Sequence, residues 1–312
     1  MAKKNNFTFI DLFAGIGGIR IAFEREGCNC VFTSEWDAAA QKTYFANFGS
    51  MPAGDITKIE PKTIPDFDIL TGGFPCQPFS SIGQRQGFLH KTQGTLFHSI
   101  AKIIDAKTPK AFLLENVTGI LTHDGGKTVD TILEILDQLN YEVVKVVLDS
   151  ADFGVPQIRK RIYFVGFNRN LGNVPFKFPT VKKKKVFINQ FLENRIEGYS
   201  ISKHLQDVYL FKKNDGRPEV IDKDSRIQVK TLCSAYHKIQ RLTGTFVRDG
   251  ETGLRLFTAN ECKAVMGFPK NFKIPVSRTQ MYRQFGNSVA IPVVQAIARE
   301  MAKALVSATK GS

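Results

Sequence analysis

A cysteine set between two prolines is the residue of this chain whose surroundings most invite chemistry. The stretch Gly72-Gly73-Phe74-Pro75-Cys76-Gln77-Pro78-Phe79-Ser80-Ser81 follows an apolar strand, 67–70, expected to stop at the glycine pair. Open α/β sheets place their ligand sites at the carboxyl ends of strands, and flanking prolines hold a thiol on stiff, non-helical backbone. Such a cysteine is either a small buried hydrophobe in a tight turn or a nucleophile. Glu115 and Asn116 follow a second apolar strand, 111–114. That carboxylate could serve as charge at a helix N-terminus or as a general acid in the same crevice as Cys76.

A second group of residues has the chemistry of a cofactor site. Phe13-Ala14-Gly15-Ile16-Gly17-Gly18 ends a strand, 7–13, and opens a helix, 19–26. Glycines there let backbone N–H groups approach a ligand at the positive helix end. Glu35 stands 20 positions after Gly15 at the end of the strand 30–34, where an acidic residue takes ribose hydroxyls. Trp36, the only tryptophan, is either core or a platform for adenine. Arg159 and Arg161, spaced by one residue, share a strand face and are either solvated surface or a means of presenting charge to phosphate or base.

The elements that must position these groups alternate. Helices are expected at 38–48, 96–106 and 128–139, and strands at 54–57, 141–148 and 162–167. Gln284-Phe285-Gly286-Asn287-Ser288-Val289 is expected to begin a terminal helix, 290–307. The pattern is that of an α/β domain. Its expected extent is 1–172 plus 278–312. Between them, 173–277 carries 20 Lys and Arg against 10 Asp and Glu, a net +10 of the chain's +14. This stretch is expected to be a small, irregular, β-rich second domain facing nucleic acid, with its end, 258–277, returning to the first.

With 312 residues, 43% hydrophobic and 23% charged, the chain can bury a full core. Five cysteines without C-x-x-C or His/Cys zinc spacing imply free thiols in a reducing compartment, and no metal. Residues 1–6 lead into a strand rather than an apolar signal core, and no apolar run reaches membrane-spanning length. The expectation is a soluble, cytoplasmic protein with a polyanionic partner.

The order Phe-x-Gly-x-Gly-Gly, Glu-Trp, Pro-Cys-Gln, Glu-Asn-Val, Gln-x-Arg-x-Arg, Gly-Asn-Ser-Val resembles the DNA (cytosine-5) methyltransferases, most closely the compact bacterial restriction–modification enzymes. It spans nearly the whole chain apart from the middle of the basic region. The resemblance implies a Rossmann-like α/β fold on a mixed, mainly parallel sheet, and covalent catalysis by Cys76 on C6 of a cytosine. It has Glu115 at N3 and the exocyclic amine, Asn116 and Arg161 orienting Glu115 and the base, and Arg159 supporting the flipped nucleotide or its phosphates. The cofactor it implies is S-adenosylmethionine, held by Phe13, Ala14, Gly15, Ile16, Gly17, Gly18, Glu35 and Trp36. Asp55 and Ile56 would line the adenine, and Pro75, Leu96, Asn287 and Ser288 would complete the pocket. Double-stranded DNA would meet Gln77, Ser80, Ile82, Gln157, Thr231, Tyr236, His237, Lys238, Arg241 and Thr243, with 80–94 as a closing loop. Ile82 departs from the small polar residue of the closest relatives. Lys182-Lys183-Lys184-Lys185 is either a solvated linker or a source of phosphate attraction. A restriction endonuclease acting on the same site and a monomeric state are also implied.

Two other functions compete. Relatives that methylate tRNA generally carry a Cys-Phe-Thr element, which this sequence lacks. A catalytically idle DNA-binding protein would not need Cys76, Glu115, Asn116 and Arg161 together. A hydride-transferring enzyme fits only the first 40 residues.

Overall fold

The computed structural model describes residues 6–74, 96–180 and 184–310. Pro75, Cys76, Gln77, Ser80, Ile82 and the rest of the 80–94 loop lie outside them, as do Lys182 and Lys183. Six strands, β1 (Thr8–Leu12), β2 (Asn29–Ser34), β3 (Ile69–Gly73), β4 (Ala111–Val117), β5 (Tyr141–Asp149) and β6 (Lys160–Asn168), form one sheet in the order β2-β1-β3-β4-β6-β5. The pairs β1–β2, β1–β3 and β3–β4 are parallel, whereas β6 runs antiparallel to both β4 and β5. Ala111, Phe112, Leu113 and Leu114 are all fully buried. A strand covered on both faces reads as a continuous apolar run. At the sheet edge, β5 is half-exposed and carries Glu142 and Lys145, charges that discourage edge pairing.

Helices cover both faces. On one lie α1 (Gly18–Arg25) and α2 (Ala38–Phe48); on the other, α3 (Leu96–Lys107) and α4 (Lys127–Gln138). Ile100, Ile103 and Ile104 of α3 and Ile132 and Leu136 of α4 pack on Ile10, Leu12, Leu70 and Phe112. Further along the chain come α5 (Ala259–Met266), α6 (Arg278–Asn287) and α7 (Ile291–Lys310). α7 returns to α1, with Ile297 and Met301 in the cluster of Phe9, Ile19 and Phe23. Arg299 pairs with Glu26 there at 2.8 Å. None of the helices among the described residues is long and apolar enough to cross a membrane.

Three elements differ from the sequence-based expectation. β3 does not stop at the glycine pair but continues through Gly72 and Gly73, which bond in register with Leu114 and Glu115 of β4. Residues 54–57 are not a strand: Asp55 caps a single 3-10 turn, Ile56–Lys58, accepting from Thr57 N at 3.0 Å and Thr57 Oγ1 at 2.8 Å. Gln284 to Asn287 close a separate helix, α6, rather than opening α7. The break falls at 288–290, and Pro292 then occupies the first turn of α7, where a missing N–H costs nothing.

The basic region, 173–277, is mostly irregular. Its strands are β7 (Glu219–Ile221) and β8 (Thr245–Val247), a short parallel pair, with isolated bridges besides. Val229, Leu232, Phe246 and Phe257 belong to the same hydrophobic cluster as Phe9 and Val165 of the main sheet. A fully buried Arg255 holds the region together. It bonds Glu261 through Nη1 and Nη2, each at 2.8 Å, Asp249 at 2.8 Å and the Glu193 carbonyl at 2.6 Å. Glu261 also completes the capping box with Thr258 that starts α5.

Candidate active site

β1, β2, β3 and β4 end at one edge of the sheet, and the reversed β6 begins there. That topology gathers Phe13, Glu35, Gly73, Glu115 and Arg161, far apart in sequence, around a crevice of about 570 Å³. Such a volume lies within the roughly 300–1,000 Å³ of small-molecule sites. Gly15, Ile16, Trp36, Phe74, Leu96, Asn116, Arg159 and Asn287 also line it.

At one end the chain leaves β1 through Phe13, whose φ of 56° lies in the left-handed region that non-glycine residues seldom occupy. Gly15 follows at φ 55°, with open space where a side chain would point. Ala14 N donates to the Ser34 carbonyl at 2.9 Å, so the turn is fixed to the end of β2. Glu35 ties the turn to the start of α2: Gly15 N donates to its Oε2 and Asp37 N to its Oε1, both at 2.8 Å. Burial raises the Glu35 pKa, and these N–H donors oppose the rise. Trp36, beside it, is 77% exposed and lines the crevice rather than packing in the core. Gly18 is held against α6, since a Cβ there would come within 2.7 Å of Ser288 Oγ.

At the other end stands Glu115. Its carboxyl overlies Gly73, where a Cβ would approach Oε2 to 3.3 Å, and Arg161 Nε lies 3.1 Å from Oε1. Burial raises the Glu115 pKa, while the charges of Arg161 and Arg159 pull it back. Asn116 donates to the Phe74 carbonyl at 2.9 Å and accepts from Val117 N at 2.8 Å. It thereby fixes the last described residue before Cys76. A buried carboxylic acid beside an arginine can hold a proton for a base and release it under control.

The other expected site residues fall in several places. Ile16, Gly17 and Ser288 are buried at the turn. Asp55 and Ile56 do not line the crevice; Ile56 is packed in the core, and Asp55 caps its own turn. Arg159 is 3% exposed, and its terminal nitrogens donate to the carbonyls of Leu232, Gly286 and Ser288. Burial and the neighbouring Arg161 push its pKa down to about 10.

Three expected DNA contacts are corrected. Gln157 is fully buried, donating to the Val265 carbonyl at 2.8 Å and accepting from Leu232 N at 2.6 Å. Tyr236 is a core ring whose hydroxyl donates to the Thr245 carbonyl at 2.6 Å. Arg241 is turned inward, its Nε donating to the Leu210 carbonyl at 2.9 Å and Nη2 pairing with Asp215. All three are buried and bond to groups within the protein, which turns them away from a base edge. Thr231 and His237 are half-buried, and Lys238 and Thr243 are exposed. Lys184 and Lys185 are exposed too.

Sequence reasoning missed Gln280, Arg283 and Gln284, which with Asn287 form the α6 wall of the crevice. Their spacing of three, four and seven was the available signal, and it required seeing 278–287 as a helix.

This fold is that of the Rossmann-like methyltransferases. An Entamoeba histolytica methyltransferase, EhMeth, superposes with a TM-score of 0.78 at 23% identity, covering 96% of this chain and 99% of that one. The Spodoptera frugiperda DNMT2 mutant structure matches equally, at 0.78 and 23%, over 96% and 100%. At that identity the likeness concerns the fold alone. The chain itself belongs to the C-5 cytosine-specific DNA methylases, whose family model matches residues 7–303. It is 57% identical over 311 residues to the Type II methyltransferase M.MspI of Moraxella sp., covering 100% of this chain and 74% of that one. It is also 57% identical over 302 residues to M.BsuFI of Bacillus subtilis, covering 96% and 74%. The protein is a DNA (cytosine-5-)-methyltransferase, transferring a methyl group to C5 of cytosine in DNA.

Proposed function

We propose that the crevice binds S-adenosylmethionine next to a cytosine flipped out of double-stranded DNA, with Cys76 as nucleophile and Glu115 as acid. The observation that carries this reading is that exposed Trp36 and buried Glu115 line one continuous crevice. The residues fit the cofactor. Trp36 offers a flat face for adenine, and each Glu35 oxygen, having accepted one backbone N–H, retains a lone pair for a ribose hydroxyl. Gly15 leaves open the approach to the N-terminus of α1. When bound, the group supplies an electrophilic methyl.

This chain's own residues do the rest. Cytosine C5 is a poor nucleophile until a group adds to C6, which is the role of the Cys76 thiolate. Glu115, whose pKa burial raises against the pull of Arg161 and Arg159, hydrogen-bonds N3 and the exocyclic amine so that negative charge does not build up on the ring. Arg161 holds the Glu115 carboxyl in place, and Asn116 holds the strand end that leads to Cys76. After C5 is methylated, solvent water takes the C5 proton, its electron pair restores the C5–C6 double bond, and the C6–S bond breaks to release the Cys76 thiolate. A base inside a duplex cannot reach such a site, so it must be flipped.

The basic region, including exposed Lys238 and Thr243 with Thr231 and His237, meets the DNA. Its charge gives a sequence-independent attraction that weakens with salt. Kinship with Type II methyltransferases of two bacteria supports the modification half of a restriction–modification system. The enzyme then works as a monomer in the bacterial cytoplasm or nucleoid, with an endonuclease that shares its site without a stable complex. Bisulfite sequencing of DNA from expressing cells tests the reading. Cytosine methylation confined to one short sequence is expected, and lost with Cys76→Ser. Unmethylated DNA, or methylation that survives Cys76→Ser, would contradict it.

A further inference from the structure

We infer that Arg159 is a positioning residue that couples the DNA-facing segment 231–243 to the cofactor side of the crevice, so that each ligand is held more tightly when the other is bound. The inference rests on the assignment of cofactor and DNA made above. Its basis is where the buried guanidinium spends its hydrogen bonds.

Nη1 donates to the Leu232 carbonyl at 3.1 Å; Nη2 donates to the carbonyls of Gly286 at 2.9 Å and Ser288 at 2.6 Å. Leu232 opens the DNA-facing segment. Gly286 and Ser288 flank Asn287, which lines the crevice, and Ser288 packs on Gly18 of the cofactor turn. One cation is therefore compensated by carbonyls from two segments with different ligands. The join is tight on both sides. Gln157 accepts from Leu232 N at 2.6 Å, so the backbone N–H and carbonyl of Leu232 are both held by residues just before β6. Next along the chain, the Cys233–Ser234 backbone lies against Gly286, where a Cβ would come within 2.1 Å of Ser234 N.

Moving either segment alone would strip carbonyls from a charge that is only 3% exposed. Closely packed interiors do not deform gradually to relieve such a loss. The two segments must shift together, and a ligand that fixes one thereby prepares the other. Arg159 Nε, buried and without a hydrogen-bond partner among the described residues, adds no further hydrogen bond to the three that Nη1 and Nη2 make.

Calorimetry with S-adenosylhomocysteine, with and without a duplex built on a site mapped in cells, measures the coupling. Wild type is expected to bind the cofactor product more tightly with DNA present, within the roughly 5–150-fold range of such couplings. By reciprocity the duplex should gain the same factor. Arg159→Lys keeps the charge but cannot reach three carbonyls at once, so the factor should fall towards one. A purely structural role would lower thermal stability or both affinities while leaving their ratio intact, and an unchanged ratio in Arg159→Lys overturns the inference.

Hydrogen exchange on the wild-type protein provides a test that needs no variant. S-adenosylhomocysteine alone should slow exchange in 231–238 as well as in 13–18. Protection of 13–18 without 231–238 would also overturn the coupling. Absence of any protection or binding heat would instead overturn the cofactor assignment itself.

Discussion

Arg161 Nε lies 3.1 Å from Glu115 Oε1, a contact made diagonally across the antiparallel pair, because Arg161 stands opposite Val117 and Tyr163 opposite Glu115. Residues two apart on paired strands share a face and reach one another in this way. The reversed strand is therefore what brings a cation to an acid that a parallel strand delivers. Glu115→Gln should keep affinity for S-adenosylhomocysteine while kcat falls by about 10²–10⁴, as for loss of one acid–base participant. Turnover close to wild type in a steady-state assay would remove Glu115 from the chemistry.

The same contact predicts a pH effect of definite sign. Arg161 favours the ionised form of Glu115, opposing the rise due to burial. Replacing it with glutamine removes that opposition, so the acid should stay protonated to higher pH. In Arg161→Gln the alkaline limb of kcat/KM should move to higher pH while the maximum rate drops. A limb that stays in place, or moves to lower pH, would show that Glu115 does not control it.

Trp36 is the only tryptophan and is 77% exposed. Its emission should therefore report S-adenosylhomocysteine without DNA. Trp36→Ala should weaken binding by about 1–3 kcal/mol, the range for a base stacked on an aromatic ring. Equal affinity in the variant would place the adenine elsewhere.

Asp11, in β1 behind the cofactor turn, is fully buried and accepts from Thr71 Oγ1 at 3.1 Å. Burial raises its pKa from 3.8 to about 7. Between those values the folded protein keeps a proton that the unfolded chain has lost. Stability from this group is thus present at low pH and lost as pH rises through the folded pKa. Melting temperatures measured at about pH 5 and about pH 8 should fall further for wild type than for Asp11→Asn. Parallel declines would mean that Asp11 is ionised in the fold throughout.

The sheet and the crevice could be read from the sequence because both depend on local pattern. Apolar runs such as 111–114 mark strands buried on both faces, and acidic or glycine residues just after them mark strand ends. What escaped was the use of polar residues inside irregular backbone. Arg241, Gln157 and Tyr236 sit in or beside the basic region, where no periodicity separates an inward side chain from an outward one. Each satisfies carbonyls or amides that helix and sheet would have satisfied by themselves. Asp55 misled for a related reason, since an Asx-type turn and a strand-end carboxylate share the same residues. The helix at 278–287 was hidden by its polar face, whose Gln280, Arg283, Gln284 and Asn287 turn towards the crevice rather than the core.

The central claim is that cytosine is methylated through a covalent bond to Cys76. Fluorine at C5 cannot leave as a proton does, so a base carrying it should trap the enzyme. Amplified DNA in which every cytosine is 5-fluorocytosine supplies the substrate without knowledge of the recognition sequence. Incubated with this DNA and S-adenosylmethionine, the wild-type protein should run on a denaturing gel as a slowed band that withstands heat and detergent. Cys76→Ser should give none. A slowed band that persists in Cys76→Ser, or a wild-type protein that methylates ordinary DNA yet forms no adduct, would contradict the account.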